Sequence, residues 1–334
     1  MQTVLTILLF AVGLVLIIKG GDWFVDAAVW IAEVSGVPQF IIGATIVSLA
    51  TTLPELTVSV MGTLNGEVDL AVGNAVGSVT ANLGLIMGIS IVCIPAAVKR
   101  SQFNMKALLM AAAAIMLWLM CRGGALQVLP SILLLVIFGV YVWENIRDAK
   151  SGVDARLEKE EHSDRPSHEN SHKKQLPMQI GKFLVGVAAI VLGSNLLIDK
   201  GSEIAVMLGV PSAIIGVSER IIAVTMVAIG TSLPELVTTL TAIAKKEASM
   251  SIGNILGANV IDLTLILPVC SLISGGRLTI GEQSTALDMP MCAIVSILAI
   301  LPPLFKGKFY RWQGVLLLAV YAAYVVILVT QYGV

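Results

Sequence analysis

The chain has 334 residues, of which 57% are hydrophobic and only 13% charged, with a net charge of −1 and a mean hydropathy of +0.91. Soluble domains carry about a quarter charged residues, so a water-facing surface for 35.2 kDa of protein cannot be built from this composition. The chain reads as an integral membrane protein, and its near-neutral charge leaves no basic field to attract nucleic acid.

Apolar runs long enough to cross a bilayer follow one another with short breaks, and about ten are expected. In the first half they centre near Leu9, Ala50, Gly84, Ala113 and Val136. The first is not a signal peptide, because no basic residue precedes it and Lys19-Gly-Gly-Asp22 is no small-residue cleavage site. From Asn145 to Lys174 the composition turns to Asp, Glu, Lys, Arg, Ser and His. Such a stretch buries too little apolar area to fold and is expected to be a flexible linker. His162, His168 and His172 all fall in it, so the apolar body holds no imidazole for general-base or zinc chemistry. The second half centres its runs near Ile190, Ile229, Ile261, Ile297 and Ala322. Cys93, Cys121, Cys270 and Cys292 form no CxxC pair and read as small core hydrophobes.

The basic residues set an orientation. On alternate faces, one side holds Arg122, Lys200, Arg220 and Arg277, and the other holds the remaining 17 of the 21 Lys and Arg. By the positive-inside rule both termini lie outside and the linker lies in the cytoplasm of a multi-pass cell-membrane (inner or plasma membrane) protein.

An internal repeat divides the chain. Ile42–Glu55 reads IGATIVSLATTLPE, and 180 residues later Ile222–Glu235 reads IAVTMVAIGTSLPE. Gly73-Asn-Ala-Val-Gly77 returns at the same offset as Gly253-Asn-Ile-Leu-Gly257. With about five spans in each half, an odd number, the second half enters the membrane with opposite polarity. The predicted fold is therefore an all-α membrane protein of about ten transmembrane helices in two inverted five-helix repeats. The first covers 1–144, a cytoplasmic polar linker covers 145–178, and the second covers 179–334. Inverted repeats enclosing a central site are a transporter architecture.

The chemistry sits at the repeat. Glu55 and Glu235 lie deep within apolar runs that contain no Lys or Arg, and a charge near mid-bilayer costs roughly 2.5–3.5 kcal/mol. Protons or a bound cation remain to neutralise them. On a helix, Ser48, Thr51, Thr52 and Glu55 make one oxygen-bearing stripe, and Thr231, Ser232 and Glu235 another. Pro54 and Pro234 precede the two acids and free the carbonyls of Ala50 and Gly230. The following spans add a second polar layer: Ser78 and Asn82 are four apart, as are the equivalent Ala258 and Asp262, and Asn82 and Asp262 are expected to face each other. An all-oxygen set with two carboxylates suits Ca²⁺, which takes six to eight oxygens at about 2.3–2.6 Å, better than Mg²⁺ or a transition metal. Na⁺ is similar in size to Ca²⁺, so one such pocket holds either ion but not both together, which is the basis of antiport.

At Ala50-Thr-Thr-Leu-Pro-Glu55, Gly230-Thr-Ser-Leu-Pro-Glu235, Gly73-Asn-Ala-Val-Gly-Ser78 and Gly253-Asn-Ile-Leu-Gly-Ala-Asn259 the sequence resembles the calcium/cation antiporter superfamily, and most of all its short prokaryotic sodium/calcium exchangers. The resemblance implies exchange of Na⁺ for Ca²⁺ by alternating access. In it Glu55 and Glu235 bind Ca²⁺ and share in Na⁺ sites, and Thr51 and Thr231 contribute oxygens. Ser48 and Ala228 offer backbone carbonyls, and Ser78, Asn82 and Asp262 complete the centre. Three departures leave the number of Na⁺ sites open: Ala258 stands in place of a serine, Ala50 of a glycine and Val79 of an asparagine. Asp262 resembles the acid of potassium-dependent exchangers, and a proton on it is a further reading. A proton-coupled Ca²⁺ exchanger would use the same carboxylates, although its relatives carry an acid soon after each Gly-Asn, where this chain has apolar residues. An intramembrane enzyme with paired carboxylates is the remote alternative. No cofactor and no obligate protein partner are expected; the partners are the bilayer and the transported ions.

Overall fold

The computed structural model describes residues 2–161, 169–207 and 230–332. Ala228, Arg220 and the expected span centre at Ile229 lie outside the described residues, as do His162 and His168.

Helix α1 (Gln2–Ser35) is almost wholly apolar up to Ile18 and carries Lys19, Asp22, Asp26 and Glu33 beyond it. It is followed by α2 (Gln39–Thr51) and α3 (Leu53–Leu64), which bend against each other by 43° and together are long enough for one broken span. Helix α4 (Val68–Cys93) and helix α5 (Arg100–Met120) complete the next two crossings. A short strand β1 (Ala125–Gln127) leads into α6 (Val128–Glu161). The second half begins with α7 (Glu169–Met207) and resumes with the short apolar α8 (Leu233–Ala244). Then come α9 (Ala248–Ile273), strand β2 (Arg277–Thr279), α10 (Ser284–Lys306) and α11 (Arg311–Tyr332). Eight described helices are long and apolar enough to cross a membrane, or nine when α2 and α3 count as one span. The ten expected spans are therefore eight or nine among the described residues, with α8 too short to qualify alone.

The linker differs from expectation. Its first part is helical, as α6 continues to Glu161, and its last part is too, as α7 starts at Glu169. Composition alone hid the reason, which is tertiary. Asn145 is buried, Lys106 on α5 pairs with Asp148, and Arg147 pairs with Glu144 one turn back at 2.6 Å. Of these, the Lys106–Asp148 pair joins the polar extension of α6 to the bundle, and the Arg147–Glu144 pair supports it within the helix.

Two loop contacts organise the ends. Strands β1 and β2 pair antiparallel, with Leu126 opposite Leu278, and place Arg122 and Arg277 at one end of the bundle. At the other end of α5, the Val98 amide donates to the Gly307 carbonyl and the Phe309 amide to the Ala96 carbonyl, both at 2.9 Å. That end gathers Lys99, Arg100, Lys306, Lys308 and Arg311, the residues assigned to the basic face.

Helices α4 and α9 fill the centre: 72% and 83% of their apolar windows are buried, against 28% for α1. The approach of α9 to α2 demands glycine. A Cβ on Gly43 would lie 2.2 Å from the Met250 carbonyl oxygen, and one on Gly253 would lie 2.2 Å from that of Phe40. Gly253 and, four residues on, Gly257 thus form a small packing face on α9. The four cysteines are free, three buried and Cys93 exposed.

Candidate cation site

Both acids sit where a helix has been broken and restarted. Thr52 ends α2, and Pro54 occupies the first turn of α3, where its missing N–H costs nothing. Ser232 precedes α8 in the same way, with Pro234 in the first turn. Glu55 and Glu235 consequently lie in the opening turn of a half-helix, where the exposed amide dipoles favour negative charge. Both are 0% exposed, so neither points into lipid.

The two halves are crossed at this point. Ser232 Oγ stands 3.4 Å from Glu55 Oε1, and Thr52 Oγ1 stands 3.5 Å from Glu235 Oε1. The Thr52 hydroxyl has a nearer acceptor, the Ser48 carbonyl at 2.6 Å, which takes its one hydrogen. Its contact with Glu235 is the longer and weaker one, so that carboxylate is poorly satisfied by Thr52 in a buried setting.

A second pair of crossed contacts involves two residues the sequence motifs contained but did not mark as functional. Thr231 Oγ1 donates to Asn74 Oδ1 at 2.9 Å, and Thr51 Oγ1 approaches Asn254 Oδ1 at 3.2 Å. The Asn74 amide nitrogen donates to the Glu55 carbonyl at 3.1 Å and to Ser59 Oγ at 3.0 Å. That of Asn254 donates to Thr238 Oγ1 at 2.9 Å. Each asparagine thus ties its own helix to a threonine of the opposite half, beside the two carboxylates. The signal was present in sequence: the asparagine of each Gly-Asn pair is repeated at the offset of 180.

The structure brings Ser78 to the same place, with its hydroxyl 3.5 Å from that of Thr231. Ser48 is buried, but its carbonyl already accepts from the Thr52 amide at 2.9 Å and from two threonine hydroxyls, so its expected carbonyl role competes with those bonds. Asn82 does not bond Asp262. Its amide donates instead to Asn259 Oδ1 at 3.0 Å, because Asn259 offers an acceptor where the first half has Val79. Asn82 and Asp262 each begin a π-helical turn, Asn82–Met87 and Asp262–Ile266, a pseudo-symmetric pair of wide turns of the kind found at functional sites.

Several buried acceptors here have no donor: Glu55 Oε2, Glu235 Oε2, Asn82 Oδ1 and both oxygens of Asp262. Buried polar atoms are nearly always paired. Among the described residues no three acidic, His or Cys side chains lie close enough to chelate a metal by themselves. The donor set is mixed, with carboxylates supplemented by hydroxyls and amides, which is the chemistry of hard cations.

The fold is that of a polytopic helical membrane protein in which two buried carboxylates, one from each half, meet hydroxyls of the opposite half. The chain belongs to the sodium/calcium exchanger family, whose model matches residues 5–146 and 178–330. It is 28% identical to the sodium/calcium exchanger MaX1 of Methanosarcina acetivorans, over 96% of this chain and 97% of that protein. It is 30% identical to the inner membrane protein YrbG of Escherichia coli, over 87% and 86%. Among solved structures it resembles the sodium-calcium exchanger NCX_Mj soaked with Na⁺ and Sr²⁺, with a TM-score of 0.79 at 27% identity, covering 97% of this chain and 98% of the other.

Proposed function

We propose that this chain is a secondary-active antiporter that exchanges Na⁺ for Ca²⁺ by alternating access at one mid-membrane site. Glu55 and Glu235 carry the charge. Thr51, Thr52, Thr231, Ser232 and Ser78 supply hydroxyl oxygens, Asn82 an amide oxygen and Asp262 a third carboxylate, with Ser48 and Ala228 offering carbonyls. The observation that carries this reading is the crossed arrangement of hydroxyls and carboxylates, with an unpaired oxygen left on each glutamate.

One buried divalent ion neutralises both glutamates, and so do Na⁺ ions in greater number, which makes the two cargoes alternatives. Binding either set removes the cost of moving bare carboxylates through the membrane. Empty transit is disfavoured, and this turns a site into an exchanger rather than a leak. A fast channel is disfavoured because a pocket that holds an ion by two carboxylates releases it slowly.

Loop geometry supports ten crossings in two inverted halves. Paired strands β1 and β2 share one end of the bundle. Helices α6, α7, α8 and α9 intervene, and only an even number of crossings returns the chain to that end, so α8 belongs to a span. The gathering of basic residues at the opposite end supports a cytoplasmic linker with both termini outside.

The test is uptake of radiolabelled calcium into vesicles loaded with Na⁺ and diluted into Na⁺-free medium. Uptake that depends on internal Na⁺ is expected; equal uptake without it would refute the proposal. Asp262 favours a second reading, because neither of its oxygens has a donor. In that reading a K⁺ ion or a proton joins the cycle there. Imposing K⁺ and pH gradients one at a time separates these forms.

A further inference from the structure

Helix α6 lies outside the pocket, yet one of its faces follows the half-helix that leads into it. Tyr141, Asn145, Asp148 and Gly152 are spaced four, three and four apart, which places them on one side of the helix. Tyr141 is buried, and its phenol donates to the carbonyl of Ala44. Asn145 donates back to the Tyr141 carbonyl at 2.9 Å. Asp148 pairs with Lys106, whose ammonium lies 6.0 Å from the centre of the Phe40 ring on α2. Gly152 fits against the residues that enter α2, since a Cβ there would lie 2.5 Å from Pro38 Cδ.

The contact at Ala44 is the informative one. Ala44 belongs to the π-helical turn Gly43–Val47, directly ahead of Ser48, Thr51 and Thr52. A π-turn spaces its hydrogen bonds one residue wider than an α-helix, so a carbonyl in it loses its usual amide partner. The Ala44 carbonyl is also hemmed in from the opposite side, where a Cβ on Gly257 would approach it to 2.8 Å. The turn sets the rotation and height at which Ser48 presents its carbonyl to the Thr51 and Thr52 hydroxyls.

We infer that Tyr141 is a positioning residue for ion binding: its phenol holds the Gly43–Val47 turn through the Ala44 carbonyl and so fixes where Thr51 and Thr52 place their oxygens. The inference rests on the antiport reading and names a part outside the pocket that the reading did not use. Tyr141 touches no ion. It acts through the turn, and its loss is felt in affinity before turnover.

The experiment compares wild type, Tyr141→Phe and Asn145→Ala in Na⁺-loaded vesicles, with uptake normalised to folded protein recovered from the same vesicles. Tyr141→Phe keeps the ring and removes one hydrogen bond. About a fivefold rise in half-saturating Ca²⁺ is expected, with the maximal rate changed by less than twofold. Asn145→Ala removes an amide that supports Tyr141 but leaves the phenol on the Ala44 carbonyl, and its half-saturation is expected to rise by less than twofold. An unchanged half-saturation in Tyr141→Phe overturns the inference. So does an equal rise in both variants, which would mean general loosening of α6. If wild type fails to couple Ca²⁺ uptake to Na⁺, the antiport reading falls by itself. Calorimetric titration of the purified proteins with CaCl₂ then decides, and Tyr141→Phe binding Ca²⁺ within twofold of wild type overturns the positioning role.

Discussion

Replacing Glu55 by Gln keeps the shape of the side chain and removes its charge. In the structure Glu55 Oε1 faces Ser232 and Oε2 has no donor, so an amide there satisfies no existing partner and presents N–H groups to the cation. At an effective dielectric of about 20 and a separation of about 2.5 Å, a carboxylate attracts each unit of ion charge by about 7 kcal/mol, hence about twice that for Ca²⁺. Much of this is returned when the charge is removed, because Glu55 and Glu235 no longer repel each other and one fewer anion is held dry. A surviving third, about 4 kcal/mol, is a loss of about a thousandfold in Ca²⁺ affinity. Na⁺ carries half the charge and loses less, so selectivity shifts toward Na⁺. Calcium uptake and calcium titration of the purified variant measure both effects. Glu235→Gln is expected to behave alike, since the two acids are related by the repeat. A Glu55→Gln protein whose half-saturating Ca²⁺ stays within tenfold of wild type would refute the idea that paired charge holds the ion.

Asn74→Leu and Asn254→Leu each remove the asparagine acceptor of a threonine in the opposite half and are expected to weaken Ca²⁺ uptake about tenfold, for a cost of about 1–3 kcal/mol; dose–response curves showing no shift would count against a role for these bonds in placing the threonines. Gly253→Ala forces a methyl to within 2.2 Å of the Phe40 carbonyl oxygen and should abolish recovery of monodisperse protein, whereas Gly181→Ala meets nothing within 4 Å and should leave it unchanged; size-exclusion profiles compare the two. Tyr324→Phe takes one of three donors from buried Asp288, leaving Ser284 at 3.0 Å and Gln283 at 3.4 Å, and is expected to lower stability by about 1–3 kcal/mol in thermal unfolding. An unchanged midpoint would mean that the Tyr324 bond contributes nothing.

What could be read from the chain before folding was whatever repeats. The paired Thr-x-Leu-Pro-Glu segments carried the acids, their hydroxyls and the helix breaks, because each property is local to a few residues. The offset of 180 then tied the halves together. Contacts that need two helices at once were hidden. Asn74 and Asn254 stood inside recognised motifs, but that each reaches the opposite half's threonine depends on the crossing of the half-helices against α4 and α9. The polar extension of α6 looked unfoldable by composition, yet Lys106 from another helix pairs with Asp148 and helps keep it in place. Tyr141 gave no local hint, because the carbonyl it meets is almost a hundred residues away.

Departures from symmetry are as informative as symmetry. Asn82 and Asp262 are equivalent positions, as are Val79 and Asn259, and Asn82 donates to Asn259 at 3.0 Å. The mirror of that contact places residue 79 beside Asp262, and valine has nothing to donate. Asp262 is therefore left with two unpaired oxygens in a fully buried setting, while its counterpart is bonded. Val79→Asn restores the missing partner. Its amide is expected to donate to Asp262 as Asn82 does to Asn259, offsetting the cost of burying one more polar group. A carboxylate bonded in that way has less need of a third cation or a proton. Any dependence of Ca²⁺ uptake on K⁺ or on pH that disappears in Asp262→Asn should then also shrink in Val79→Asn, while Na⁺-driven uptake persists. If the dependence vanishes in Asp262→Asn but is untouched in Val79→Asn, residue 79 does not reach the carboxylate and the mirror argument fails at that point.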